Sequence, residues 1–89
     1  MPTIHLIIKG KVQGVFYRAS AKKAANSLSL NGWVRNKENG DVELLVTGPS
    51  DRLKQFTDWC REGPAGAIVS ELIETVQEES TFDSFSIIR

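Results

Sequence analysis

The chain has 89 residues, 40% of them hydrophobic and 25% charged, which suits one soluble globular domain over residues 1–89 with a single core. Lys+Arg and Asp+Glu each number 11, so there is no global basic field to collect nucleic acid or an anionic membrane surface. One cysteine, Cys60, and one histidine, His5, exclude an intrachain disulfide, a thiolate zinc site from this chain alone and any Ser-His-Asp arrangement not built on His5.

No apolar stretch reaches the roughly 20 residues of a membrane span. Met1-Pro2-Thr3 leads straight into strand-like sequence, so no signal peptide and a cytoplasmic setting are expected.

From Thr3 to Val12 the residues alternate. Ile4, Leu6, Ile8, Gly10 and Val12 share one face, and Thr3, His5, Ile7, Lys9 and Lys11 the other. This predicts a half-buried strand, with His5 a solvated residue on its more polar face. Tyr17 to Leu28 has helical spacing, with Ala19, Ala21, Ala24, Ala25 and Leu28 against Lys22 and Lys23. Alanine is the best helix former, and small buried-face residues let a helix lie close to a sheet. Ser29-Leu30-Asn31-Gly32 ends it.

Gly32 to Lys37 and Asp41 to Thr47 predict an antiparallel hairpin around Asn39-Gly40, read as a type I′ turn with positive φ at both positions. In the first strand Val34 and Asn36 share a face opposite Trp33 and Arg35. Gly48-Pro49 breaks the second strand. Ser50 is the expected N-cap of a helix carrying Leu53, Phe56 and Cys60 on one stripe, and Gly63-Pro64 stops it. Ala67 to Val76 is a strand whose imperfect alternation predicts a bulge. Phe85 and Ile87 mark a short last strand. Trp33, Phe56, Trp59 and Phe85 read as core aromatics, and Cys60 as a small buried apolar group.

The element order predicts an α+β, ferredoxin-like βαββαβ sandwich: an antiparallel sheet, two helices on one face and a short extra C-terminal strand.

Two places can carry chemistry. Gln13, Gly14, Val15, Phe16, Tyr17 and Arg18 join the first strand to the first helix. Glycine lets backbone N–H groups turn inward, a helix N-terminus adds partial positive charge, and arginine offers a rigid fork: together, an anion site. On local pattern alone, a tight turn with a solvated arginine remains the better-supported reading. Asn36 points with the apolar set, yet an asparagine at a strand end more often bonds its own turn.

The run Gly10-Lys-Val-Gln-Gly-Val-Phe-Tyr-Arg18 resembles the signature of the acylphosphatase family, G-x-V-Q-G-V-x-[FY]-R. Gly32-Trp-Val-Arg-Asn36 is similar to that family's second motif, and Asn39-Gly40-Asp-Val-Glu43 to its following hairpin. Gly63-Pro64-Ala-Gly-Ala67 and Phe85-Ser-Ile87 fall in the family's order and spacing, so the likeness covers essentially the whole chain.

The resemblance implies a monomeric, free-standing hydrolase that cleaves small-molecule acyl phosphates to carboxylate and inorganic phosphate, with no cofactor and no metal. It implies that Arg18 binds the phosphoryl group, that the amides of Gln13 to Arg18 cradle it and that Asn36 orients the attacking water. Ser29 departs from the family's usual helix-ending glycine, a cost of about 0.5–1 kcal/mol if the position needs positive φ. Tyr17 stands where phenylalanine is common.

Two other functions compete. One is a non-catalytic phosphate or acyl-phosphate binding module, since similar domains open larger carbamoyltransferases of hydrogenase maturation. The other is RNA binding on the same fold, disfavoured because Asp41-Val-Glu-Leu-Leu-Val-Thr47 has no aromatic on which to stack a base.

Overall fold

The computed structural model describes all residues, Met1–Arg89. Its elements are β1 (Thr3–Lys11), α1 (Tyr17–Ser27), β2 (Asn31–Asn36), β3 (Val42–Thr47), α2 (Ser50–Glu62), β4 (Ile68–Gln77) and β5 (Phe85–Ile88). This is the ferredoxin-like order with one strand added. The sheet runs β4-β1-β3-β2-β5. All neighbours are antiparallel except β2 and β5, which run parallel with Gly32 opposite Phe85 and Val34 opposite Ile87.

The alternation read in the sequence sets the core. Ile4, Leu6 and Ile8 of β1, Val34 of β2, Val42, Leu44 and Val46 of β3 and Phe85 of β5 are buried on one sheet face. Against them lie Tyr17, Ala21 and Ala25 of α1 and Leu53, Phe56 and Cys60 of α2. Leu6, Leu44 and Phe56 are fully closed off, so truncating any of them to alanine costs about 2–5 kcal/mol.

Helix α1 ends in a Schellman motif. Leu30 N–H donates to the Ala25 carbonyl at 2.9 Å and Ser29 N–H to that of Asn26 at 3.1 Å. Ser29 occupies the left-handed position at φ 56°. The position does require positive φ, and a serine fills it.

Several expectations are corrected. Asn39 has no positive φ; only Gly40 does, at 96°. Lys37 N–H donates to the Asp41 carbonyl and Gly40 N–H to that of Lys37, so the hairpin closes over three residues, Glu38 to Gly40, with glycine at the left-handed place. Ser50 does not cap α2. Pro49 is the N-cap residue and no side chain caps it; its carbonyl accepts from Arg52 and Leu53.

The open sheet face corrects two more. Trp33 is half-buried on that face, with the Arg35 guanidinium 5.3 Å from its ring centroid, and is not a core residue. His5 is paired, its Nε2 lying 2.7 Å from Oε2 of Glu43, while Arg35 Nε donates to Oε1 of the same carboxylate. Burial alone would raise the Glu43 carboxyl, but the bonds from His5 and Arg35 win and hold it below its ordinary value. The predicted bulge lies between β1 and β4, where Lys9 faces Glu71 but Gly10 faces Val69. Gly10 (φ 125°) allows this approach, since a Cβ there would lie 2.1 Å from the Ile68 carbonyl oxygen.

Candidate active site

The six residues Gln13 to Arg18 turn the chain from β1 into α1. Gly14 and Phe16 both have positive φ, 75° and 61°, while Val15 and Tyr17 between and after them do not. Alternating φ signs turn successive N–H groups to one side and form a concave nest for an anion. Phe16 is the N-cap of α1 in the left-handed region and makes no side-chain cap bond. Its side chain is 83% exposed, so side-chain packing does not explain the conformation, which costs about 1–2 kcal/mol for a residue with Cβ.

The first backbone bond of α1 runs from Ser20 N–H to the Phe16 carbonyl at 3.0 Å. None of the amides of Gln13 to Arg18 donates to a backbone carbonyl. No acidic residue lies in the first turn of α1 to occupy its positive end.

Two side chains fix this loop. Tyr17 is buried and its hydroxyl donates to the Cys60 carbonyl of α2 at 2.7 Å. Its ring packs 5.5 Å from that of Trp59. Burial is the main cause raising the Tyr17 hydroxyl's pKa, and burial also pushes the Cys60 thiol up to about 12. Both groups stay protonated near neutral pH. Gln13 is the second anchor: its Nε2 donates to the carbonyls of Lys37 and Asp41, at 2.7 and 2.8 Å. The loop is thereby tied to α2 on one side and to the β2–β3 hairpin on the other.

A cleft of about 310 Å³ opens over the loop, lined by Gly14, Phe16, Tyr17 and Arg18 together with Asn36 at the end of β2. The two residues singled out in the sequence therefore share one cavity. Arg18 is half-buried there and forms no ion pair.

Asn36 does not bond its own turn. Asn39 does that, accepting from Asp41 N–H at 3.0 Å. The Oδ1 of Asn36 is buried and has no hydrogen-bond partner. An unpaired buried acceptor costs about 1–3 kcal/mol. A donating water beside it would satisfy it, as would a half-turn of the amide that presents Oδ1 to the cleft. Ile87 and Arg89 also line this cleft. Neither was singled out as a site residue in the sequence. The alternation of β5 puts Phe85 and Ile87 on one face, and Arg89 is the residue that follows the strand.

A family model for acylphosphatase matches residues 4–87. The acylphosphatase of Syntrophus aciditrophicus is 48% identical over 90 residues, covering 99% of this chain and 93% of that protein. Among solved structures, the acylphosphatase from Bacillus subtilis superposes with a TM-score of 0.97 at 31% identity, covering 100% of both chains. An acylphosphatase from Coxiella burnetii superposes at 0.95 with 40% identity, over 98% of this chain and 92% of that one.

Proposed function

The chain belongs to the acylphosphatase family, and from that premise we propose that it hydrolyses the carboxyl–phosphate bond of acyl phosphates without a metal, using Arg18, the Gln13–Arg18 amides and Asn36. The reading is supported above all by unused hydrogen-bonding capacity around one cleft: loop amides that donate to no backbone carbonyl, an Arg18 outside every ion pair and the buried, unpartnered Oδ1 of Asn36.

An acyl phosphate is a mixed anhydride, and its leaving group is a carboxylate that departs unprotonated. No general acid is needed. A loose, metaphosphate-like transition state asks for positioning and for stabilisation of charge on the peripheral oxygens. The Arg18 fork grips two of those oxygens and the nest amides face the others. Asn36, a neutral amide, is no base near pH 7. It accepts a hydrogen bond from water and sets the line of attack on phosphorus. The P–O bond to the acyl group breaks with its electron pair leaving on the carboxylate, and a phosphoryl oxygen takes the water's proton.

The test is hydrolysis of benzoyl phosphate by the wild type and by Arg18→Ala, with excess chelator present. Wild type is expected to turn over in chelator, and Arg18→Ala to lose at least about 100-fold in kcat/KM. Activity abolished by chelator and restored by a divalent metal overturns the metal-free mechanism. Phosphate binding without hydrolysis would make the chain a binding module.

A further inference from the structure

Arg89 reaches the phosphoryl cleft through the backbone ladder. Strand β5 pairs parallel with β2, Val34 opposite Ile87 and Arg35 opposite Ile88. Arg89 is the residue that follows β5, and Asn36 is the next residue of β2 after that register ends. Period-two alternation carries Phe85 and Ile87 inward, and Arg89 lines the cleft over the loop together with Ile87 and Asn36. Arg89 and Asn36 accordingly line the same two adjoining clefts, the one over the loop and a second of about 520 Å³ beside it.

The side chain of Arg89 has no protein partner in any ion pair. Arg35, the other arginine of the second cleft, is already bound to Glu43 and lies over Trp33. Lys37 lines that cleft too and is likewise outside every ion pair, while Glu38 is its acidic side chain. In a chain of zero formal charge, two unpaired arginines therefore face the cleft over the loop, Arg18 from the helix side and Arg89 from the β2–β5 side.

We infer that Arg89 is a second phosphate-binding residue of this site, holding the phosphoryl group from the side opposite Arg18 in substrate and product alike. The inference rests on reading the cleft as a phosphoryl site. Arg18 can grip two peripheral oxygens, and a guanidinium from the other wall supplies a further charge-assisted donor. A donor that holds substrate and transition state equally lowers KM more than it raises kcat.

The experiment is titration of inorganic phosphate by calorimetry into wild type, Arg89→Gln and Arg89→Lys, beside benzoyl phosphate kinetics on the same proteins. Arg89→Gln is expected to weaken phosphate binding about tenfold, the effect of one exposed charge-assisted bond. Its KM should rise by a similar factor, with a smaller fall in kcat, and Arg89→Lys should recover part of the loss. Phosphate affinity unchanged in Arg89→Gln overturns the inference, as does a fall in kcat alone. A wild type that binds phosphate but leaves benzoyl phosphate intact overturns the proposed hydrolysis while leaving the role of Arg89 standing. A wild type that binds no phosphate overturns both.

Discussion

The side-chain amide of Gln13 donates to the carbonyl of Lys37, the residue after Asn36, at 2.7 Å. The same nitrogen reaches the Asp41 carbonyl at 2.8 Å, so one side chain closes the hairpin mouth against the anion loop. The loop and the end of β2 carry the two halves of the proposed site, and this contact fixes their separation.

Gln13→Ala should therefore harm both stability and turnover. Two part-buried carbonyls lose a donor, an expected cost of about 1–3 kcal/mol in urea denaturation. The kcat for benzoyl phosphate should fall about tenfold, because small misplacement of a positioned group is costly. Gln13→Glu should be worse than alanine in stability, since a carboxylate would face two carbonyl oxygens. If alanine matches wild type in both measurements, the tie does not set the geometry.

Arg18 and Asn36 should separate kinetically. Arg18→Ala removes the fork that holds phosphate in substrate and transition state, so inorganic phosphate affinity and kcat should both collapse. Asn36→Ala leaves the nest and Arg18 in place. Its kcat should fall by about 100-fold or more while phosphate affinity stays within a few-fold of wild type. Wild-type turnover in Asn36→Ala would remove the water-orienting role.

How much of this was legible in the sequence depends on the range of the interaction. Local patterns sufficed for the alternation of β1, for the alanine face of α1 and for the inward aim of Asn36. They failed where a second element decides. The turn at Asn39-Gly40 has a strong type I′ composition, but the bonds Lys37 to Asp41 and Gly40 to Lys37 select a three-residue loop. Trp33 is a different case: its aromatic character suggests core, while the alternation opposite Val34 and Asn36 already points to the open face, where it lies beside Arg35. Arg89 was missed because its place depends on β5 pairing parallel to β2, a long-range choice that no short stretch encodes.

The cluster on the open face predicts the acid limb of stability. Lys9 Nζ donates to Asp41 at 2.9 Å, and that bond is the main cause holding the Asp41 carboxyl below its ordinary 3.8. Glu43 lies below its ordinary 4.5, its bonds from His5 and Arg35 outweighing burial. A carboxyl depressed in the folded state contributes stability that is full above its unfolded value and is lost as pH falls through the folded one. The urea midpoint should hold steady down to about pH 5 and then drop. Asp41→Asn with Glu43→Gln should give a lower midpoint at pH 7 and a flatter acid limb. An acid limb of unchanged steepness in that double variant would assign it to other carboxylates.

Ser29→Gly should stabilise the protein without touching the site. Ser29 sits at φ 56° in the Schellman turn that ends α1. Glycine populates that region freely, whereas a residue with Cβ is strained there. Part of the relief is offset, because glycine also gains entropy in the unfolded chain. The net gain should be about 0.5 kcal/mol, at most about 1, which for a domain of this size raises Tm by about 2–8 °C. Benzoyl phosphate kinetics should be unchanged, since Ser29 lies at the end of α1 remote from its N-terminal loop and lines neither cleft. A lower Tm would mean that the serine side chain contributes more than its backbone strain costs.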